Sequence, residues 1–345
     1  MATIGNTFVD LIDIYKGEDG KGAETSLMIE MLRAHTPILE DAVAVECNMG
    51  TKHRHKIRTG LPTSSWGRLY KGIPQSKSQY QQVDDTTGFI EGRSSIDSRE
   101  LKLNPGREDA IRMREADGQM QGMSNSMGSY IFYEDTATNP DGFKGLASRY
   151  NTIGTTGASH QVIDAAGAGS DNTSIWFVTW GEAYTHLIYP SGMQAGLVRE
   201  DKGEQRVNDD NGDPYYVKEE LFSWHNGVAV ANWQRNARIA NIDVSEMLAG
   251  NVDLYSYMRK AYYRGRFDSF RRSGGADTGI PPVRAAIYCN ADVLEALDAL
   301  GTNAGASDNF VRLRPMEIDG QEVLTYRGIP LRLTDSLLNT EAEVV

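Results

Sequence analysis

The sequence NPGREDAIRMREADGQMQGMSNSMGSY, which spans residues 104–130, predicts one long helix. Asn104 is a favourable N-cap residue, and Pro105 suits the first helical position because no backbone donor is needed there. Glu108 and Asp109 place negative charge at the positive end of the helix dipole. These signals together predict that the helix begins at about Pro105.

Four methionines of this helix recur at helical spacing and share one face: Met113, Met120, Met123 and Met127. A methionine stripe can form an adaptable binding groove, but at this spacing we interpret it as a core-facing surface. Three glycines, Gly118, Gly122 and Gly128, each weaken the helix by up to about 1 kcal/mol relative to alanine. The helix must therefore be held by packing against other elements.

The segment before this helix, residues 59–95, has few aliphatic side chains and four widely spaced aromatic ones. These are Trp66, Tyr70, Tyr80 and Phe89. Compact domains rarely tolerate such a segment unless it packs on a partner. We therefore predict a long excursion, of which a hairpin is one form. It follows a basic extended run at 52–58 and a helix predicted over 23–34.

The chain after the long helix turns to strand-like patterns. Predicted strands cover 175–180, 184–189, 227–231 and 237–242. A hairpin is indicated by 205–207 and 215–217, because the turn-forming run Asp209-Asp210-Asn211-Gly212-Asp213 lies between them.

The last third of the chain mixes helices and strands. Asp243 caps a helical region over 245–267 that breaks near Gly250, and Asn290 caps a second helix that stops before Gly301. Strands are predicted at 283–288 and in a final hairpin, 321–326 with 329–334. No repeating βαβ unit is present, so the pattern favours the α+β class.

Composition narrows the possible functions. The 345 residues carry a net charge of −12, which lacks the cationic surplus that tight, sequence-independent DNA binding needs. No apolar run suits a membrane span or a secretory signal. Cys47 and Cys289 lie far apart and are expected to be reduced thiols of a cytosolic product.

Motifs for catalysis or metal binding are weak. Neither a G-x-S-x-G elbow nor a GxxxxGK[ST] phosphate loop occurs. Asp209, Asn211, Asp213 and Glu220 match four calcium-loop positions, but Pro214 replaces the required glycine. We interpret this run as a solvated turn and predict no catalytic, cofactor or metal-binding residues.

A zinc site built from Cys47, His53 and His55 is a second possibility. Their spacing belongs to no known zinc finger, and a fourth ligand is not evident. We interpret the two histidines as partly exposed strand residues. For the basic run around them we favour a solvated face or a pairing with acidic neighbours, and contact with DNA or a scaffold is the alternative.

The order of these features resembles the major capsid proteins of tailed phages, most closely those of short-tailed double-stranded DNA phages. Four stretches carry the resemblance: Asn139 to Tyr150, Tyr189 to Gln205, Trp224 to Asp243, and Arg327 to Glu341. Their collinear order over roughly 24–341 is more specific than any one of them.

The resemblance implies a Hong Kong 97-type capsid fold and a set of domains. Residues 1–50 would be the N-arm, 51–103 the E-loop region and 104–139 the spine helix with the peripheral domain. Residues 140–320 would form the axial domain, with a β-rich insertion and part of the peripheral domain. Residues 321–345 would end the peripheral domain as a hairpin.

The implied function is a non-enzymatic head protein that self-assembles into hexamers and pentamers. These would build an icosahedral shell that faces packaged dsDNA without sequence specificity. A scaffolding protein, a portal and a decoration protein are the implied partners, and the virion, assembled in the host cytoplasm, is the location. Five residues are expected to contact neighbouring subunits: Trp66, Tyr70, Lys71, Tyr80 and Phe89.

Some relatives cross-link their shells through a Lys–Asn isopeptide bond. Lys71 and Lys77 lie in the expected E-loop, but no Asn and Glu partners match, so a non-covalent shell is predicted.

Two alternative functions stay open at this point. One is a bacterial nanocompartment shell, and the other is a glycan-binding or glycan-cleaving protein that uses Trp176, Trp180, Trp224 and Trp233.

Overall fold

The computed structural model describes residues 36–103, 105–209, 211–267, 284–303, 313–318 and 321–345. Its α-helices are α1 (Ile38–Asp41), α2 (Ser98–Leu103), α3 (Glu108–Tyr133), α4 (Val244–Leu248), α5 (Leu254–Arg264) and α6 (Ala291–Asn303). Its strands are β1 (Ala44–Glu46), β2 (Lys52–Gly60), β3 (Gln79–Thr86), β4 (Gly88–Asp97), β5 (Val162–Asp164), β6 (Asn172–Trp180), β7 (Thr185–Tyr189), β8 (Leu197–Asn208), β9 (Pro214–Val230), β10 (Ala237–Asp243), β11 (Arg284–Cys289), β12 (Arg314–Ile318), β13 (Gln321–Tyr326) and β14 (Ile329–Leu333). The helix predicted over 23–34 lies outside the described residues.

The described residues divide into two compact units. Residues 89–127 and 196–225 form the smaller unit, and residues 36–88, 128–195 and 226–345 form the larger one. Helix α3 and strand β9 contribute residues to both. Within the described ranges, no helix combines the length and the apolar character that crossing a bilayer requires.

The larger unit is built on a mixed sheet with the strand order β12-β13-β14-β11-β6-β7-β9. Every residue of β6 is buried, and β10 and β11 pair with it antiparallel. The sheet is mixed because β11 and β14 pair parallel. The chain between β11 and β14 contains α6, β12 and β13, and this long connection is the crossover that parallel pairing needs.

The main core of the larger unit packs helices α5 and α6 against this sheet. Its fully buried members include Ile175 and Phe177 from β6, Ile239 from β10, Met258 from α5 and Leu297 from α6. Burial of one such side chain contributes roughly 1.5–3 kcal/mol relative to exposure. Segments that lie more than one hundred residues apart in the chain therefore contribute to the same core.

Two helix caps of the larger unit confirm the sequence prediction. The Asp243 carboxylate accepts a hydrogen bond of 2.9 Å from the backbone N–H of Glu246. The Asn290 side chain accepts one of 3.0 Å from the backbone N–H of Val293. The predicted stop before Gly301 is wrong, because α6 continues to Asn303.

The smaller unit packs α3 against the β8–β9 hairpin. Ala116, Met123 and Phe222 form a buried cluster, with Met120 packed beside it. Met127 is also buried, so the prediction of a core-facing stripe is confirmed for three of the four methionines. It is wrong for Met113, which is half exposed beside the Arg199 guanidinium.

A buried carboxylate joins the same two elements of the smaller unit. Glu220, on β9, lies 2.5 Å from the Arg112 guanidinium of α3 and 2.7 Å from that of Arg199 on β8. Arg112 also contacts Asp201 at 2.6 Å. Because both arginines pair with the buried Glu220, its negative charge is compensated.

Two predicted boundaries differ from the structure for identifiable reasons. Helix α3 begins at Glu108 and not at Pro105, because Gly106 has a left-handed φ of +85° that interrupts the helical path. The strand predicted at 227–231 is the end of the long strand β9. Gly227 does not break it; a Cβ there would lie 2.7 Å from the Thr86 carbonyl oxygen, so close packing requires the glycine.

Candidate subunit interface

Strands β2 and β3 form a separate two-stranded antiparallel sheet, which we call the arm hairpin (residues 52–86). Its register pairs Lys52 with Thr86 and His55 with Val83. The basic run at 52–58 is therefore the first strand of the hairpin, so the predicted excursion begins earlier than 59. Residues 88–95, the end of that excursion, belong to strand β4.

Two side-chain pairs tie the strands of the arm hairpin together. The Arg54 guanidinium donates hydrogen bonds of 2.7 and 2.6 Å to the Asp84 carboxylate, and these lower the pKa of Asp84. The Arg58 guanidinium lies 5.3 Å from the Tyr80 ring centroid and donates a bond of 3.1 Å to its hydroxyl. Both pairs are largely exposed, so they fix the register more than they stabilise the fold.

The tip of the arm hairpin, residues 61–78, exposes its apolar side chains to solvent. The large ones are Leu61, Trp66, Leu69, Tyr70 and Ile73, of which Trp66 and Tyr70 are fully exposed. Within the tip, the Ser76 hydroxyl donates a hydrogen bond of 2.7 Å to the Thr63 carbonyl oxygen. An apolar cluster of this kind, held away from any core, is typical of a protein–protein contact.

Charge on the arm hairpin is opposite to that of the chain as a whole. Between Glu46 and Asp84 there is no acidic residue, although the chain carries a net charge of −12. The basic residues in this interval are Lys52, Arg54, Lys56, Arg58, Arg68, Lys71 and Lys77. A basic, aromatic tip is therefore presented by a protein that is otherwise acidic.

The structure brings four of the five predicted contact residues together on one element. Trp66, Tyr70 and Lys71 lie exposed on the tip, and Tyr80 lies on β3 with its side chain more than half exposed. Phe89 is separate, because it belongs to β4 in the smaller unit, where its ring centroid lies 5.3 Å from that of His225.

Sequence reasoning missed a cluster of histidines at the base of the arm hairpin. His53 and His55 of β2 meet His186 of β7, and the ring centroids of His53 and His186 lie 5.1 Å apart. Burial, with smaller contributions from His53 and His55, lowers the pKa of His186 to about 4. The alternation of Lys or Arg with His in Lys52-His53-Arg54-His55-Lys56 is the signal that could have revealed an inward-facing pair.

The metal sites considered from the sequence are not assembled. Among the described residues, no three His, Cys, Asp or Glu side chains are grouped so that they could hold an ion. Cys47 packs instead against Ile188 and Ala229. In the acidic turn, the Asp209 carboxylate accepts hydrogen bonds of 2.9 Å from the backbone N–H groups of Asn211 and Asp213, which is the geometry of a structural turn.

Of the four tryptophans of the glycan-binding alternative, Trp224 and Trp233 are half-buried, and the other two do not form a surface. Trp176 and Trp180 are completely buried in β6. The Trp180 indole N–H donates a 2.8 Å hydrogen bond to the Tyr288 hydroxyl, so the polar edge of this indole is satisfied inside the core.

Comparison with known proteins decides the family. A sequence model described as Major capsid protein GP7 matches residues 19–345, nearly the whole chain. The chain belongs to this family. It is a major capsid protein of the virion and forms the icosahedral shell. The search of curated proteins gave no significant match.

Solved structures show the relationships of this capsid protein. A chain in the cryo-EM structure of bacteriophage Epsilon15 is 30% identical, with a TM-score of 0.74, and the match covers 100% of this chain and 99% of that one. The α+β class and the Hong Kong 97-type capsid fold are confirmed. An encapsulin of Synechococcus elongatus matches at 11% identity and a TM-score of 0.44, over 68% of this chain and 96% of that one. The capsid of phage XM1 matches at 11% and 0.40, over 64% and 96%.

Proposed function

We propose that this capsid protein builds hexamers and pentamers through its arm hairpin, and that the resulting shell encloses double-stranded DNA. The observation that carries the proposal is the exposed apolar tip, residues 61–78, with Trp66 and Tyr70 free of contacts to a core. Large aromatic side chains of this kind dominate the energetics of protein interfaces once a partner covers them. The five predicted contact residues, Trp66, Tyr70, Lys71, Tyr80 and Phe89, are part of this proposal.

The proposed domain assignment follows the chain order. Residues 1–50 form the N-arm, 51–103 the E-loop region, 104–139 the spine helix with the peripheral domain, 140–320 the axial domain with part of the peripheral domain, and 321–345 the terminal hairpin. The arm hairpin lies inside the E-loop region, and α3 lies inside the spine-helix region, which supports both assignments. The proposed partners are a scaffolding protein, a portal and a decoration protein, with assembly in the host cytoplasm and no catalytic activity.

Electron microscopy of the expressed protein tests the proposed assembly. We expect closed particles in negative stain, with five-fold and six-fold capsomers, when the protein is expressed together with a scaffolding protein. Neighbouring portal and terminase genes would distinguish a phage shell from a nanocompartment. A protein that stays monomeric under every assembly condition and binds or cleaves an oligosaccharide would refute the proposal.

The shell is expected to be held by non-covalent contacts. Lys71 and Lys77 are exposed on the arm hairpin, but the sequence offers no matching Asn and Glu partners for an isopeptide bond. Purified particles boiled in detergent should therefore run as one band at the subunit mass of 38.1 kDa. A ladder of linked oligomers that survives boiling and reduction would contradict this expectation.

A further inference from the structure

The base of the arm hairpin holds several titratable side chains in a small buried volume. His53 and His55 come from β2, Asp85 from β3, His186 from β7 and Arg149 from the 3₁₀ turn Ala147–Arg149. Asp85 and His186 are almost completely buried. The ring centroids of His53 and His55 lie 6.4 Å apart. The cluster therefore sits at the junction between the hairpin and the sheet strand β7.

Among the residues that the structure describes, Asp85 supplies the carboxylate that faces this cluster, and it is already paired. Arg149 lies 2.8 Å from one Asp85 oxygen and also donates a 2.8 Å bond to the Val228 carbonyl oxygen. The second Asp85 oxygen is 3.7 Å from the nearer ring nitrogen of His55. Within the described residues, the ring nitrogens of His55 and His186 are buried and make no hydrogen bond of good geometry, although the main chain at Val230 and at Gly181 lies near enough to favour their protonated forms.

Charge counting shows what protonation would do here. With neutral imidazoles, Arg149 and Asp85 cancel, and the cluster carries no net charge. Protonation of His55 and His186 would raise the net charge to as much as two positive units. Closely spaced like charges in a site of low dielectric repel each other strongly and are poorly hydrated. The packed arrangement is therefore compatible only with mostly neutral rings.

We infer that His55 and His186, packed beside His53, form a pH-operated latch that holds the base of the arm hairpin against β7 while their rings are neutral and releases it on acidification. This inference rests on the proposed role of the arm hairpin, since the latch would regulate the orientation of the contact-making tip. Its ligand is the proton, and the moving element is the two-stranded sheet β2–β3, which has its own hydrogen-bonded register.

The direction of the pH dependence follows from the shifts in pKa. Burial is the largest cause that lowers the pKa of both His55 and His186, and for His186 the value falls to about 4. Asp85 and main-chain groups near Val230 and Gly181 oppose these shifts without cancelling them. A lowered histidine pKa means that the latched state binds protons less well than the open state. Latching is complete above about pH 6.5 and is lost as pH falls towards 4.

Hydrogen–deuterium exchange on the unassembled full-length subunit tests the latch. Peptides covering 49–60 and 79–88 would be followed at pH 7.5 and pH 5.0, with rates corrected for the intrinsic pH dependence of exchange. From His186 alone, we expect the opening equilibrium at pH 5.0 to rise about 30-fold over pH 7.5. His186→Phe keeps an aromatic ring but cannot be protonated, so its change should be about 30-fold smaller than that of the wild type, with His55 supplying the remainder.

Control variants keep the test decisive. His160→Gln replaces a histidine outside the cluster and should retain the full pH response. His55→Gln should reduce the pH response, and it provides the test if His186→Phe folds poorly. Equal exchange at both pH values in the wild-type protein, or an undiminished response in both cluster variants, would overturn the latch. Particle formation by His186→Phe at pH 7.5 is scored separately. Normal particles with no pH response in the wild type would refute the latch and leave the proposed assembly intact.

Discussion

Replacing Glu341 with glutamine is expected to lower the free energy of unfolding of the subunit by about 3–5 kcal/mol. Glu341 and Arg238 are both more than nine-tenths buried, and the Arg238 guanidinium lies 2.8 Å from the Glu341 carboxylate. The Ser174 hydroxyl also donates to that carboxylate. Removal of the negative charge leaves the arginine charge buried and uncompensated, which is the costly case.

Urea unfolding of unassembled subunits, followed by tryptophan fluorescence, measures this effect. Glu343→Gln is the matched control, because Glu343 is exposed and lies two residues away in the chain. Its effect should stay within about 0.5 kcal/mol. If both variants unfolded at the same urea concentration as the wild type, the buried pair would not stabilise the fold as described.

The double substitution Trp66→Ala and Tyr70→Ala is expected to lower the assembled fraction at least 100-fold at a fixed subunit concentration. Interface aromatics that are fully covered by a partner commonly contribute 2 kcal/mol or more each, and every subunit of a shell repeats the contact. Subunit stability should change by less than about 0.5 kcal/mol, because both side chains are fully exposed in the subunit. Sedimentation gives the assembled fraction, and thermal melting gives the stability.

Leu248→Ala is a suitable control for this experiment, because Leu248 is a large exposed apolar residue outside the arm hairpin. It should leave both measurements close to the wild-type values. The single variants Tyr80→Ala and Phe89→Ala extend the test to the other aromatic residues of the proposed contact set. A parallel loss of assembly and of melting temperature in the double variant would mean that the tip supports the fold of the subunit itself.

Local sequence signals predicted local structure well. The turn-forming run at 209–213 does join two antiparallel strands, since β8 and β9 flank it. Asp243 and Asn290 cap helices as expected, because a cap depends on a few neighbouring residues. The lack of core-forming residues correctly marked the tip, residues 61–78, which the subunit leaves largely exposed, but not residues 84–95, several of which are buried.

Features that depend on distant parts of the chain escaped the sequence. The partners Arg238 and Glu341 are 103 residues apart, and neither lies in a motif that indicates a buried pair. His186 contacts His53 because β7 packs against the base of the arm hairpin. Parallel pairing of β11 with β14 is likewise set by the crossover between them and not by their own residue patterns. In each case tertiary packing, and not periodicity, determines the arrangement.

The two buried cysteines make the arm hairpin accessible to selective chemical labelling. Burial raises the pKa of the Cys289 thiol to about 12, and the pKa of Cys47 is also raised. The thiolate is the nucleophile that attacks a labelling reagent, so both native cysteines should react slowly near neutral pH. A single cysteine introduced at Ser65, beside the exposed Trp66, would therefore take up a fluorophore or spin label without prior removal of the native thiols.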